Sequence, residues 1–232
     1  MSFNYSPRIP TNGLVVYLDP ANTRSYPGTG LTFSDISRTQ LTATMSSSVT
    51  YTGGGMVFTG ATGSYITLPP SNITTAFTIN AWIKPTGLSL AGLTNYLGIV
   101  NSINGNSGQT NRLLLTSTYD RLLFQATDGV TQYNPFSDFF PSIQNKVSMV
   151  TVTYYNSTIR FYINGKSVLV TPINISSSIA GGVLNSTIGW GANSNDYYFN
   201  GTIYNYSLYN VGLLDSEVAR LYSALSGRYG LS

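Results

Sequence analysis

Short runs of alternating apolar and polar residues recur along the chain, separated by clusters of Gly, Pro, Asn and Ser. In 77–84 the set Phe77, Ile79, Ala81, Ile83 opposes Thr78, Asn80, Trp82, Lys84, so one face can enter a core while the other meets solvent or a second layer. In 146–154, Val147, Met149, Thr151 and Thr153 oppose Ser148, Val150, Val152 and Tyr154 in the same way. The clearest hairpin spans 158–171. Ile159, Phe161 and Ile163 alternate with Arg160 and Tyr162, Asn164-Gly165 supplies two residues that tolerate positive φ, and Val168 and Val170 follow. Further strands are predicted at 14–18, 56–58, 65–67, 97–101, 112–116, 121–126, 185–189 and 201–209. Such spacing predicts an all-β sandwich or barrel rather than alternating βα units.

A single helix is predicted from Asp215 to Leu225, because Val218, Leu221, Tyr222 and Leu225 share one face. Asp215 is placed to cap its first amides, Glu217 lies in the first turn, and Gly227 is expected to end it. Residues 1–12 carry two prolines and few apolar side chains and read as an arm; 227–232 read as a tail. One domain, 13–226, lies between them.

Composition narrows the chemistry. Only 8% of residues are charged, against roughly 25% in ordinary soluble proteins. The surface must therefore be polar without being ionic. The net charge of +3 is a scatter of 11 cations against 8 anions, with no basic run to track a nucleic-acid backbone. There is no Cys and no His, which removes disulfides, thiolate nucleophiles and the Ser-His-Asp arrangement. No apolar stretch approaches the roughly 18 residues of a membrane-spanning helix. MSFNYSPRIP lacks the layout of a signal peptide, so the expected route out of a cell is another one, such as lysis. Triplets of the type Asn-x-Ser/Thr, at Asn4, Asn72, Asn156, Asn174, Asn185, Asn200 and Asn205, arise from a composition rich in these residues.

FTINAWIKP (77–85), VTVTYYNSTIRFYINGKSV (150–168), TIGW (187–190) and YYFNGTIYNYSLYNVGLLDSEVARLY (197–222) follow one another in an order that resembles the laminin-G-like, concanavalin A-like jelly-roll family. The opening stretch, with SYPGTG at 25–30, resembles the start of such modules in virion proteins of tailed phages, especially marine and cyanobacterial ones. The resemblance covers about 13–225 and implies a two-sheet antiparallel jelly-roll sandwich with one short C-terminal helix. It also implies that 14–18 pairs near 201–209 and closes the sandwich, with Leu14, Val16 and Leu18 facing the core. Asp19-Pro20 then reads as the end of that strand and the start of a short turn, so Asp19 is a terminator rather than a catalyst. The chain departs from the family where Asn145-Lys146-Val147 replaces a Trp-His-His run, where Asn164 replaces Asp in the hairpin turn, and where Asn205 replaces an Asp. Each change removes charge or a ligand.

Candidate sites were weighed against structural roles. Glycoside hydrolysis needs two carboxylates facing each other, about 5–5.5 Å apart for retention. Members of the fold carry them as Glu-x-Asp-x-x-Glu on one strand, and no such run exists here. Calcium would need several oxygen ligands; Asp128 with Gly129, or Asp196 with Asn193 and Asn195, could contribute, but such clusters are ordinary turn formers, so calcium is disfavoured and no cofactor is expected. For glycans, Trp190, Asn193, Asn195, Asp196, Tyr197 and Tyr198 place rings beside amides in one loop. Tyr133, Phe136, Phe139 and Phe140 form a second aromatic cluster, whereas Trp82, in mid-strand, is expected to pack. For both clusters, core cover or subunit contact is the competing role.

The resemblance thus implies a non-catalytic virion structural protein on the particle surface, a capsid decoration or accessory protein, with glycan adhesion left open. The alternative is a carbohydrate-binding adhesin or tail-fibre module. Implied partners are other capsid or tail proteins, a second copy of the chain, and cell-surface glycans, with neither nucleic acid nor membrane.

Overall fold

A computed structural model of the chain describes residues 7–73, 76–88, 96–103, 110–127, 131–168, 173–174, 182–191 and 197–231. In chain order the strands are β1 (Leu14–Leu18), β2 (Thr32–Ser34), β3 (Thr42–Met45), β4 (Thr50–Thr52), β5 (Gly55–Thr59), β6 (Ile66–Ile73), β7 (Phe77–Pro85), β8 (Tyr96–Ile103), β9 (Thr110–Thr116), β10 (Leu122–Thr127), β11 (Gln132–Tyr133), β12 (Ser148–Tyr155), β13 (Thr158–Ile163), β14 (Lys166–Ser167), β15 (Ile173–Asn174), β16 (Gly182–Ile188) and β17 (Asn200–Tyr209). Helix α1 (Asp215–Leu225) and a 3-10 turn, Ser226–Tyr229, follow. They form two antiparallel sheets packed as a sandwich. The nine-stranded sheet runs β14-β13-β12-β7-β17-β5-β4, with β1 also beside β17 and β15 beside β13. The eight-stranded sheet runs β11-β10-β9-β8-β16-β6-β3-β2.

The predicted alternation appears as a division between two apolar clusters. Phe77, Ile79, Ala81 and Ile83 of β7 and Val150, Val152 and Tyr154 of β12 enter the core between the sheets. On the opposite face, Trp82 and Met149 join Tyr162, Tyr209, Val218, Leu221 and Leu225 beneath α1. This second layer covers the outer face of the nine-stranded sheet. It also covers a row of polar side chains that the alternation left facing outward. Thr151 donates to Asn80 Oδ1 at 2.8 Å, Asn80 donates to Ser207 at 3.3 Å, and Thr78 bonds Val211 and Leu213. The row is satisfied within itself, which is what burial requires of neutral polar groups.

Several local readings hold and others change. The turn is as expected: Asn164 and Gly165 have φ of 50° and 77°, and Asn164 Oδ1 also accepts the Met149 amide at 2.8 Å. β1 pairs with β17, and Val16 and Leu18 enter the main core. Leu14 does not. A register irregularity between Leu14 and Val16 turns it to the other face, against the second cluster. Asp215 does not cap α1; its Oδ1 accepts the Tyr162 hydroxyl at 2.7 Å, and Glu217 instead accepts the Leu214 amide at 3.0 Å. Nor does Gly227 end the helical segment. It lies inside the 3-10 turn, and Gly230, at φ 68°, terminates it.

Asp19 has a role that the strand-end reading did not contain. Its carboxylate is 2% exposed and receives Nη1 of Arg228 at 2.8 Å on both oxygens. The end of the first strand is thereby tied to the turn after the last helix, 209 residues away. Tyr229 and Leu231 pack on the second cluster alongside Ile9, while Pro10 accepts the Tyr209 hydroxyl. Replacing Arg228 by Ala would leave a buried carboxylate unpaired. Because Arg228 itself is 39% exposed, the expected loss is about 1–3 kcal/mol, below the full cost of breaking a buried pair, read from urea unfolding midpoints.

Burial, and then the charge of Asp19, push the Tyr17 phenol from 10.0 up to about 12. Burial likewise raises Tyr162, Tyr206, Tyr209 and Tyr229. The unfolded chain therefore releases these protons near pH 10 while the folded chain still holds them, so stability is full below pH 10 and falls as pH rises toward 12. Denaturant melts across that range should show the decline, and Tyr17→Phe should make it shallower.

Candidate functional site

The loop that follows β16 is built by close approach. Gly189 has φ +84°, and a Cβ there would lie 2.3 Å from the Phe58 ring, so only glycine lets the chain turn over the end of the core. The Trp190–Tyr198 bridge, Gly191 N–H to Tyr197 O at 2.8 Å and Phe199 N–H to Gly189 O at 2.9 Å join the two limbs. Asn193, Asn195 and Asp196 lie between those limbs, outside the described residues.

The two described limbs, at Gly191 and Tyr197, rest on the outer face of the eight-stranded sheet. Gly98, in β8, makes room for them: a Cβ there would be 2.3 Å from both Gly191 N and Tyr197 O. Arg112 projects from β9 into this contact. Its Nη1 donates to Gly191 O at 2.8 Å, its Nε donates to Gln125 Oε1, and its guanidinium lies 4.9 Å from the Tyr197 ring centre. Burial lowers the Arg112 pKa from its ordinary value and the neighbouring Tyr197 opposes the shift; an arginine remains charged throughout the accessible pH range.

Trp190 is half-buried. It is stacked with Tyr198, at 5.8 Å and 8°, and tilted against Tyr65, at 5.3 Å and 31°. The stacking of these three rings is internal, and Tyr198 is only 3% exposed. Of the residues picked out by sequence, Trp190, Tyr197 and Tyr198 thus come together, with the last two serving as wall and support. Tyr65, Gly98, Asn101 and Arg112 were missed. Asn101 faces Arg112 on β9 and Thr187 on β16, is fully buried, and has neither amide atom hydrogen-bonded among the described residues. Beyond it the face continues with Thr67, Thr44 and Thr42, all exposed. Nothing in a window of sequence marks these residues, because strand pairing alone brings them to the loop.

The second aromatic cluster divides. Phe140 enters the main core and Tyr133 packs against it, whereas Phe139 is 72% exposed. The Arg121 guanidinium lies 4.6 Å from the Phe136 ring centre and 4.5 Å from that of Phe139, which braces the exposed ring. Trp82 packs, as expected, but against Tyr222 and Tyr229 rather than in the main core.

The acids are dispersed. Asp35 accepts the Tyr17 and Ser37 amides and the Ser37 and Thr39 hydroxyls; Asp120 accepts Thr116 and Thr118. Among the described residues no group of three or more acids could hold a metal ion, and Asp128 lies outside them. No helix among these residues is long and apolar enough to cross a membrane.

A family model described as the concanavalin A-like lectin/glucanases superfamily, of the third laminin-G type, matches residues 59–219. The chain belongs to this superfamily. No curated protein matches it by sequence. Solved structures of the same fold include the binding domain of botulinum neurotoxin serotype G (TM-score 0.69, 18% identity), covering 91% of this chain and 51% of that one. The binding domain of Paraclostridial Mosquitocidal Protein 1 is similar (0.68, 17%), covering 90% and 52%. Trypanosoma rangeli sialidase, solved with the inhibitor DANA, is a third (0.65, 16%), covering 92% and 33%. The chain therefore spans between a third and half of the length of these structures. The serotype D toxin domain, also similar (0.68, 16%; 90% of this chain and 50% of that one), was solved with N-acetylneuraminic acid.

Within the superfamily member described here, the loop contact can be tested directly. Gly98→Ala should lift Gly191 and Tyr197 off β8 without entering the main core. Acrylamide quenching should then rise for one of the two tryptophans, Trp190, while Trp82 stays protected.

Proposed function

We propose that this chain is a non-catalytic, lectin-like recognition module. The observation that carries the reading is the assignment of five of its eight carboxylates. Asp19 is bound to Arg228, Asp35 and Asp120 to loop amides and hydroxyls, Asp215 to Tyr162, and Glu217 to the start of α1. That leaves these groups holding structure, and what the surface offers a ligand is rings, hydroxyls and amides. The face beside the 189–199 loop supplies the ring edges of Tyr65, Trp190 and Tyr197 next to Thr67 and Thr44, a set suited to sugar C–H faces and hydroxyls. The superfamily and the sialic-acid-bound neighbour support the same substrate class.

We further assign the module to the virion surface, as a capsid decoration, accessory or fibre component, on the resemblance of its opening segment to tailed-phage modules. A surface with so few charges suits that setting, since added salt has few ion pairs to screen.

On a glycan array the full chain should bind a defined subset of sugars, and Trp190→Ala should lose part of that signal while remaining folded by circular dichroism, with a melting temperature lowered by the lost stacking on Tyr198 and Tyr65. Absence of binding to every glycan would reject the lectin-like reading. Antibodies to the chain should label intact particles in electron microscopy; labelling confined to debris would reject the virion assignment.

A further inference from the structure

On the opposite side of the sandwich, a groove lies at the free end of the β12–β13 hairpin. Its floor is the outer face of that hairpin, where the register sets Thr153 opposite Arg160 and Tyr155 opposite Thr158. Its wall is the segment 212–216, which leads into α1. Gly212 brings the wall close, since a Cβ there would meet Tyr155 Cβ at 2.6 Å and Tyr154 O at 3.0 Å. The groove, open on one side to solvent, has a volume of about 610 Å³, within the roughly 300–1,000 Å³ of small-ligand sites.

Two side chains of this groove, Tyr155 and Arg160, lack a structural use among the described residues, and a third, Asp215, keeps one oxygen to spare. Tyr155 is 57% exposed, although its strand neighbour Tyr154 is buried in the core. Arg160 is half-buried and forms no hydrogen bond or ion pair among the described residues. Across the groove, Asp215 has one carboxylate oxygen engaged by the Tyr162 hydroxyl at 2.7 Å and does not reach Arg160 as an ion pair. A guanidinium held on a strand, with no hydrogen-bond partner among the described residues, is a ready fork for a carboxylate. A ring standing beside it and a rim of Asn156, Thr158 and Ser216 match the C–H face and hydroxyls of a sugar.

We propose that this groove is a second glycan site, separate from the 189–199 loop, and that it takes a monosaccharide bearing a carboxylate. Arg160 pairs with the carboxylate, Tyr155 stacks on the ring, and Asp215 accepts a hydroxyl. The proposal rests on the lectin-like reading, but its test separates the two. An acidic peptide would satisfy Arg160 yet leave the hydroxyl-bearing rim without partners.

Calorimetric titration of the full chain with 3′-sialyllactose and with a glucuronate-terminated disaccharide, against lactose and a Glu-rich peptide, decides it. At least one acidic sugar should bind where lactose and the peptide do not. Arg160→Gln should weaken that binding on the order of tenfold or more, the factor expected for one charge-assisted contact, and Tyr155→Ala should weaken it through loss of ring stacking. Arg38→Gln, an exposed cation elsewhere, should leave it unchanged, and all variants should melt like the parent chain. Equal affinity for lactose, preference for the peptide, or undiminished binding by both groove variants would overturn the groove. In that event sugar binding on the array would leave the lectin-like reading standing; no sugar binding anywhere would remove both.

Discussion

The last strand enters the middle of a sheet, and the rest of the molecule depends on that insertion. β17 pairs along one edge with β7 and along the other with β5 and β1, placed end to end. Until it docks, β7 has an open edge and β1 has no partner. Its alternation then serves two layers at once: Ile203, Tyr206 and Leu208 fill the space between the sheets, while Tyr204 and Tyr209 lie under the helical cover. Such pairing, between segments near the two ends of the chain, carries a large loop-closure cost that only extensive burial can offset.

A sheet buried on both faces raises a second problem, because this chain has little charge with which to satisfy an interior. The solution is neutral. The Thr151–Asn80–Ser207 row closes on itself, and the five hydrogen bonds to Asp35, including one from Leu41, stabilise a carboxylate without a cation. Where an ion pair is used, at Asp19 and Arg228, it joins the two ends of the chain that β17 has already brought near each other. The pair acts as a latch on the helical cover rather than as a source of the fold.

The proposed recognition sites lie on the surfaces that this scaffold leaves over. The fold is shared with toxin binding domains and with a sialidase at 16–18% identity, which establishes architecture and does not transfer a ligand. The proposed recognition therefore rests on side chains of this chain: rings held by arginines, as at Tyr197 on Arg112 and Phe139 on Arg121, and hydroxyl-bearing strand faces beside them. A ring braced in this way has lost its freedom before any ligand arrives, which lowers the entropy cost of contact.

Much of the fold was legible locally. The phase of β7 and β12, the Asn164-Gly165 turn and the limits of α1 follow from spacing, because alternation, turn conformation and helical periodicity are properties of a few neighbouring residues; the family came instead from the resemblance of longer motifs such as FTINAWIKP. β2, β3 and β4 were not read, being three or four residues long and lacking a strong apolar phase. Alternation says that two faces differ; it does not say what covers each. The tertiary structure alone sent Trp82 under α1, turned Leu14 away from Val16 by an irregularity in pairing, and gave Asp19 a partner from the far end of the chain. It also set Tyr65 against Trp190 and left Tyr155 and Arg160 together in a groove. All of these rest on contacts between distant segments, whose energy exists only once both sheets have formed.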